Sequence, residues 1–138
     1  MNMYPTLSWD ESLSTGLPRL DAHHQELFAR YNELSKALAH GSAAGRTATG
    51  ELLDFLQFYA AWHFEREEEC MEEYRCPVAA ANRQAHAHFV ATFGEFYELW
   101  QESDADLELV QKTYAELGNW LVNHIQRIDT QLRPCVQE

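Results

Sequence analysis

The chain has 138 residues, of which 46% are hydrophobic and 12% aromatic, a composition that argues against intrinsic disorder. This length predicts one domain, residues 1–138, with a buried core. The formal net charge of −12, from 22 Asp and Glu residues against 10 Lys and Arg, disfavours nucleic acid or an anionic membrane as a partner.

Three further features bear on where the protein works. No stretch approaches the ~20 consecutive apolar residues that a membrane-spanning helix needs. The first residues lack the basic start and the apolar run of a signal peptide. The three cysteines, Cys70, Cys76 and Cys135, form no C-x-x-C pair. We therefore expect reduced thiols and a cytoplasmic protein.

Residues 1–18 are predicted to form an N-terminal arm, because apolar residues alternate there with proline and glycine. The first helix is predicted for about residues 19–39. Its apolar stripe consists of Leu20, Leu27, Phe28, Tyr31 and Leu38. His24 lies within this stripe, whereas His23 is rotated by about 100° to its edge.

Residues 40–46 are mostly small and predict a loop, followed by a second helix over about residues 47–75. His63 and Glu67 are four residues apart, so they share one helix face, about 40° from each other. The same face carries Leu52, Leu56, Tyr59 and Cys70. A buried carboxylate without a partner is costly, so Glu67 needs a base, a buried water or a metal ion beside it.

The third helix is predicted for about residues 78–101. Asn82 and His86 lie on its apolar face, four residues apart. His88 is rotated by about 200° from His86 and is expected to face solvent.

The fourth helix is predicted for about residues 105–132. Leu117, Trp120 and Leu121 accompany His124 on its inner face. Asp129 lies about 140° round the helix from His124. Four amphipathic helices with short connections predict an all-α, antiparallel up-down-up-down four-helix bundle with an N-terminal arm.

Each predicted helix contributes one inward histidine, and two inward carboxylates accompany them: His24, His63, His86, His124, Glu67 and Asp129. A lone buried histidine usually donates to a backbone carbonyl. Six buried polar groups in one layer are hard to satisfy with one another, because each neutral imidazole needs both a donor and an acceptor. A pair of divalent ions satisfies all six. Imidazole and carboxylate donors suit iron, manganese or zinc.

Four motifs are spread over nearly the whole chain: W-D-E-S-L-S-T-G-L with L-D-A-H-H-Q-E-L from Trp9 to Leu27, H-F-E-R-E-E from His63, H-x-x-F from His86, and W-L-V-N-H-I-Q-R-I-D from Trp120 to Asp129. Together they resemble the hemerythrin family, specifically its bacterial single-domain members, the bacteriohemerythrins. The H-x-x-x-E motif alone is a weak signal. The combination of H-x-x-x-E with H-x-x-x-x-D, at this spacing between the helices, is specific for the family.

The resemblance implies a non-haem di-iron centre of two iron ions, with an oxo or hydroxo bridge when oxidised. The family holds these ions with five histidines, one glutamate and one aspartate. His24 and His63 match the ligands of the iron that binds dioxygen, and His86 and His124 match ligands of the other iron. The bridging carboxylates of the family match Glu67 and Asp129.

The fifth histidine of the family pattern is missing from this chain. The family has H-x-x-x-H on the third helix, and the position four residues before His86 is Asn82. Three alternatives stay open for Asn82: a weak carbonyl ligand, a holder of metal-bound water, or an open coordination position. His88 cannot replace it directly, because it lies on the opposite face of the helix.

The resemblance implies a protein that binds dioxygen reversibly for carriage, storage or sensing and that is not an enzyme. Nitric oxide, peroxide and small anions are further candidate ligands, and no protein partner is indicated. The alternative function is a di-metal enzyme that acts on oxygen, peroxide or nitric oxide through the position opened at Asn82. A third alternative is a bundle with a decayed site and a structural role.

Overall fold

The computed structural model describes residues 3–103 and 106–137 and folds them into a helical bundle. The four long helices are α1 (Pro18–His40), α2 (Ser42–Glu73), α3 (Ala79–Ser103) and α4 (Leu107–Arg127). Helix α1 packs on α2 and α4, and α3 packs on α2 and α4. The predicted all-α four-helix bundle is therefore confirmed. None of its helices in the described ranges combines the length and apolar content that crossing a membrane needs.

Apolar side chains from all four helices form the main core. Its fully buried members include Leu34, Leu53, Leu117, Leu121 and Ile125. The arm packs over this core through Tyr4, Leu7 and Trp9. Asn32 of α1 holds the arm in place: its Oδ1 accepts from the Leu7 N–H and its Nδ2 donates to the Leu7 carbonyl, both at 2.8 Å.

The connection between α1 and α2 is shorter than we expected. Gly41 alone separates the two helices, and its φ of +133° is a conformation that other residues rarely adopt. Helix α2 therefore begins at Ser42, five residues before the predicted start. The alanines in this stretch favour helix, and Gly45 allows it to lie directly against Leu38.

The fourth helix ends earlier than we expected. Asp106 caps α4, because its carboxylate accepts from the Leu109 N–H at 2.8 Å. The predicted start at residue 105 lies outside the described residues. The predicted end at residue 132 is wrong: α4 stops at Arg127, and a 3₁₀ turn (Asp129–Gln131) leads into a short helix α5 (Leu132–Val136).

The cysteines form a second apolar cluster at the end of the bundle where α1 begins and α2 ends. Cys70, Met71, Cys76, Leu20 and Leu132 are its buried members. Cys76 and Cys135 form a disulfide with their Cα atoms 5.8 Å apart, so the expectation of three reduced thiols is wrong. The turn after α2 brings Cys76 against α5, a proximity across 59 residues that the sequence spacing does not reveal.

Two helical glycines lead to opposite predictions for stability. A Cβ at Gly118 would lie 2.5 Å from the hydroxyl of Tyr31, whereas a Cβ at Gly94 would meet no atom within 4 Å. We expect Gly118→Ala to lower the free energy of unfolding by about 1–3 kcal/mol through overpacking. Gly94→Ala should raise it by about 0.5–1 kcal/mol through helix propensity. Urea unfolding of both variants checks this, and equal effects would contradict a close approach of α1 and α4.

Candidate metal centre

The six inward residues predicted from the sequence come together in one buried layer, and each is at most 6% exposed. Their nitrogen and oxygen atoms form two groups, each with all its atoms within 4.8 Å of one another. One group contains His24, His63 and Glu67, and the other contains His86, His124, Glu67 and Asp129. We call the first group the His24–His63 position and the second group the His86–His124 position.

Glu67 belongs to both positions. Its Oε2 lies 3.1 Å from His24 Nε2 and 3.1 Å from His63 Nε2. Its Oε1 lies 3.2 Å from His86 Nε2 and 3.9 Å from His124 Nε2. Each oxygen of this fully buried carboxylate therefore faces a different pair of histidines.

Asp129 repeats this arrangement. Its Oδ2 lies 3.2 Å from His24 Nε2, and its Oδ1 lies 3.0 Å from His124 Nε2. A continuous α-helix would turn Asp129 about 140° away from His124. The end of α4 at Arg127 and the following 3₁₀ turn bring the carboxylate back into the layer. The break in α4 thus completes the site.

The polar atoms of the layer are poorly satisfied by one another. Glu67 Oε1 and Asp129 Oδ1 are buried and have no hydrogen-bond partner of good geometry among the described residues. The Nε2 atoms of His86 and His124 approach to 3.2 Å. Buried polar atoms without partners are rare. Convergent lone pairs of this kind fit a pair of divalent cations, and the donor set suits iron, manganese or zinc.

Asn82 lies at the His86–His124 position. Its side chain is fully buried, and its Oδ1 lies 2.9 Å from His124 Nε2. Its Nδ2 has no hydrogen-bond partner among the described residues. His88 is exposed, as the helical phase predicts, and contributes no atom to either group.

Two contacts behind the inward histidines were not foreseen from the sequence. His86 Nδ1 lies 3.0 Å from Glu68 Oε2, although Glu68 follows Glu67 and is rotated about 100° from it round the helix. His63 Nδ1 lies 2.8 Å from His23 Nδ1. Helical phase placed His23 only at the edge of the apolar stripe, so no sequence signal singled it out.

Aromatic rings enclose the His86–His124 position. Phe64 stacks on His86 with ring centroids 3.9 Å apart, and Trp120 stacks on His124 at 4.2 Å. Phe89 meets Phe64 and Trp120 edge-on. These rings restrict the orientation of the two imidazole planes.

The charges of the layer are strongly coupled. Burial opposes a charge on His24 and on His124, but hydrogen bonds with Asp129 and Glu67 outweigh it. They raise the pKa of His24 to about 10 and that of His124 to about 9. Burial likewise opposes ionisation of Glu67, yet hydrogen bonds from His124 and the other histidines hold its pKa well below the usual range. Without a metal, protons take the place of positive ions.

Without metal, the stability of the fold is therefore expected to decrease as the pH becomes alkaline. Protonated His24 and His124 stabilise the metal-free fold fully below their ordinary pKa of 6.5, and this contribution is lost as the pH rises through about 9 to 10. We expect the Tm of chelator-stripped protein to fall over that window, whereas the Tm of metal-loaded protein should fall less. Thermal unfolding of both forms across the window is the measurement. Parallel profiles would contradict proton–metal exchange in this layer.

The chain is similar to known proteins over most of its length. Residues 15–136 match the family described as the hemerythrin HHE cation binding domain. The bacteriohemerythrin of Stenotrophomonas maltophilia is 32% identical over 123 residues, which are 89% of this chain and 76% of that relative. The bacteriohemerythrin of Methylococcus capsulatus is 28% identical over 131 residues, 94% of this chain and 96% of the relative.

A solved structure agrees with the sequence matches. A crystal structure of wild-type hemerythrin superposes with a TM-score of 0.79 at 26% identity, covering 97% of this chain and 100% of that one. The family match contains all six residues of the buried layer. This protein is therefore a member of the hemerythrin family.

Proposed function

We propose that this protein holds two iron ions in the buried layer and binds dioxygen reversibly. One observation carries the proposal: Glu67 and Asp129 each direct one carboxylate oxygen to each of the two positions. A carboxylate that serves two positions in this way is suited to bridge two cations. Two independent ion pairs with histidine would not need this arrangement.

The six residues would divide between the two ions as the contacts suggest. His24 and His63 would hold one ion, and His86 and His124 would hold the other. Glu67 and Asp129 would bridge them. Asn82 Oδ1 would offer the second ion a weak oxygen donor, because an amide oxygen is a poorer ligand than imidazole for divalent iron.

The chain's own residues would determine how dioxygen is held. A ferrous pair held by these residues would supply the electrons for reversible binding of dioxygen. The stacked rings of Phe64 and Trp120 cover the imidazoles of His86 and His124, and buried Leu20 and Met71 lie in the cluster that closes the end of the bundle. Exclusion of water suppresses side reactions at such a site. These residues therefore favour release of dioxygen over its consumption.

A second function is supported by the position of Asn82. With an amide where the family pattern has a histidine, the second ion would keep two histidines and a coordination site for an exchangeable ligand. Surface grooves reach its two ligands: one of ≈430 Å³ includes His86 and Arg83, and another of ≈360 Å³ includes His124 and Arg127. An enzyme that acts on oxygen, peroxide or nitric oxide would use this position.

We further propose that the principal ligand is dioxygen, with nitric oxide, peroxide or small anions as lesser ligands. The Cys76–Cys135 disulfide removes the thiol argument for a cytoplasmic location, because disulfides persist mainly in oxidising compartments. The formal net charge of −12 argues against nucleic acid and anionic membranes as partners. Carriage, storage and sensing all use this binding chemistry, so the proposal covers all three roles.

Metal analysis combined with absorption spectroscopy tests the proposal. Protein purified after growth in iron-rich medium should contain two irons per chain. After anaerobic reduction it should gain a visible absorption band in air and lose that band under vacuum. Sustained oxygen consumption in the presence of a reductant would favour the enzyme instead, and absence of iron would contradict both functions.

A further inference from the structure

His23 lies behind the metal centre rather than in it. It precedes His24 in α1, is 8% exposed, and contributes no atom to either group of candidate ligands. Its Nδ1 lies 2.8 Å from Nδ1 of His63, and the two rings are nearly perpendicular. The close contact of two like nitrogens requires that one of them carries a proton and the other accepts it.

The ring nitrogen of His63 that faces the candidate ligands determines which Nδ1 carries the proton between the two histidines. His63 Nε2 lies 3.1 Å from Glu67 Oε2, on the side of the candidate ligands. An imidazole that binds a metal through Nε2 carries its proton on Nδ1. His63 Nδ1–H is then the donor and His23 Nδ1 the acceptor, which leaves the proton of His23 on its own Nε2.

The ring of His23 is held by packing on α2, the helix that carries His63. Its centroid lies 4.6 Å from that of Trp62 and 6.0 Å from that of Tyr59. These contacts fix the direction of the His23 lone pair. At the other position, the matching contact behind His86 comes from the carboxylate of Glu68. The outer contact of His63 is therefore a histidine, whereas that of His86 is a carboxylate.

We propose that His23 is a positioning residue: by accepting a hydrogen bond from His63 Nδ1–H, it fixes the tautomer and ring orientation that direct His63 Nε2 at the His24–His63 position. The inference rests on the proposed metal centre. Outer partners of this kind typically change metal affinity by about 10–100-fold when they are removed. His23 should therefore affect one of the two ions selectively.

Two substitutions of similar size separate positioning from packing. His23→Asn places an amide oxygen where Nδ1 of the histidine lies, so it keeps an acceptor for His63. His23→Leu fills similar space without an acceptor. His88→Leu, at an exposed position of α3, is the matched control. The 138-residue chain is loaded with Zn²⁺, whose lack of unpaired electrons permits NMR of the histidine rings.

Zinc affinity at each position is measured by competition with a chelator, and the His63 ring is observed by ¹⁵N NMR. We expect His23→Leu to weaken zinc binding at the His24–His63 position by about 10–100-fold. It should also abolish the slowly exchanging Nδ1–H signal of His63. His23→Asn should restore both, and His88→Leu should match the wild type. If His23→Leu does not fold, His23→Ala takes its place.

Three results would overturn the inference. Unchanged zinc affinity in His23→Leu, with two zinc ions bound to the wild type, would overturn it and leave the proposed function intact. Equal weakening of both ions, in proportion to a loss of metal-free stability, would show a packing role only. A wild type that binds no zinc or iron would overturn the proposed function and this inference together.

Discussion

Glu67→Gln is expected to abolish tight binding at both metal positions. The carboxylate directs Oε2 at His24 and His63 and Oε1 at His86, so its loss affects every ion in the layer. Removal of outer partners alone costs about 10–100-fold in metal affinity, so loss of a bridging ligand should exceed 100-fold at each position. Glutamine keeps the shape of the side chain, which limits the effect of the substitution on packing.

The control for this variant is Glu69→Gln, which makes the same charge change at an exposed position of α2. We expect it to keep two metal ions per chain. Iron content after gel filtration and isothermal titration with ferrous iron under anaerobic conditions measure both variants. If Glu67→Gln keeps one ion at wild-type affinity, Glu67 serves a single position and the bridge is disproved.

Asn82→His is expected to strengthen iron binding at the His86–His124 position and to lengthen the life of the oxygenated protein. Asn82 is fully buried with its Oδ1 directed at this position, so a histidine here would supply a third imidazole. Imidazole is a better donor than an amide oxygen for divalent iron, and we expect a gain of at least about 10-fold in affinity. The wild type should exchange anions or water at this ion and autoxidise faster.

Gln84→His is the matched control, because it adds a histidine at an exposed position of the same helix. Iron retention against a chelator and decay of the oxygenated absorption band are measured side by side in the three proteins. Equal retention and equal decay in wild type and Asn82→His would mean that Asn82, or a water molecule that it holds, already satisfies the second ion.

The helices and most of the site follow from helical phase. The spacing of His63 and Glu67 placed both on one buried face, and Asn82 and His86 were placed together for the same reason. The structure buries all four residues. Apolar periodicity therefore predicts which polar residues are carried inward, because residues on one face of a helix share its burial.

Asp129 shows where this reasoning stops. Phase alone turns it about 140° away from His124, although we counted it among the inward carboxylates. Its place depends on the end of α4 at Arg127 and on the 3₁₀ turn that follows Ile128. No proline or glycine marks that end in the sequence. Contacts between elements, such as buried Leu132 against the second apolar cluster, stabilise it instead.

The contacts of His23 and Glu68 were not predictable for a related reason. Both lie at the edges of inner faces, where a small rotation of the helix decides between solvent and core. The distances of 2.8 Å to His63 and 3.0 Å to His86 depend on how the helices pack on each other. A single sequence contains the phase of each helix but not these rotations.

Anomalous diffraction at the iron absorption edge, from crystals of the iron-loaded protein, tests the central claim most directly. The account predicts two iron peaks per chain, one beside His24 and His63 and the other beside His86 and His124. The carboxylates of Glu67 and Asp129 should each contact both peaks. A single peak, or two peaks that share neither carboxylate, would contradict the bridged pair from which the proposed function follows.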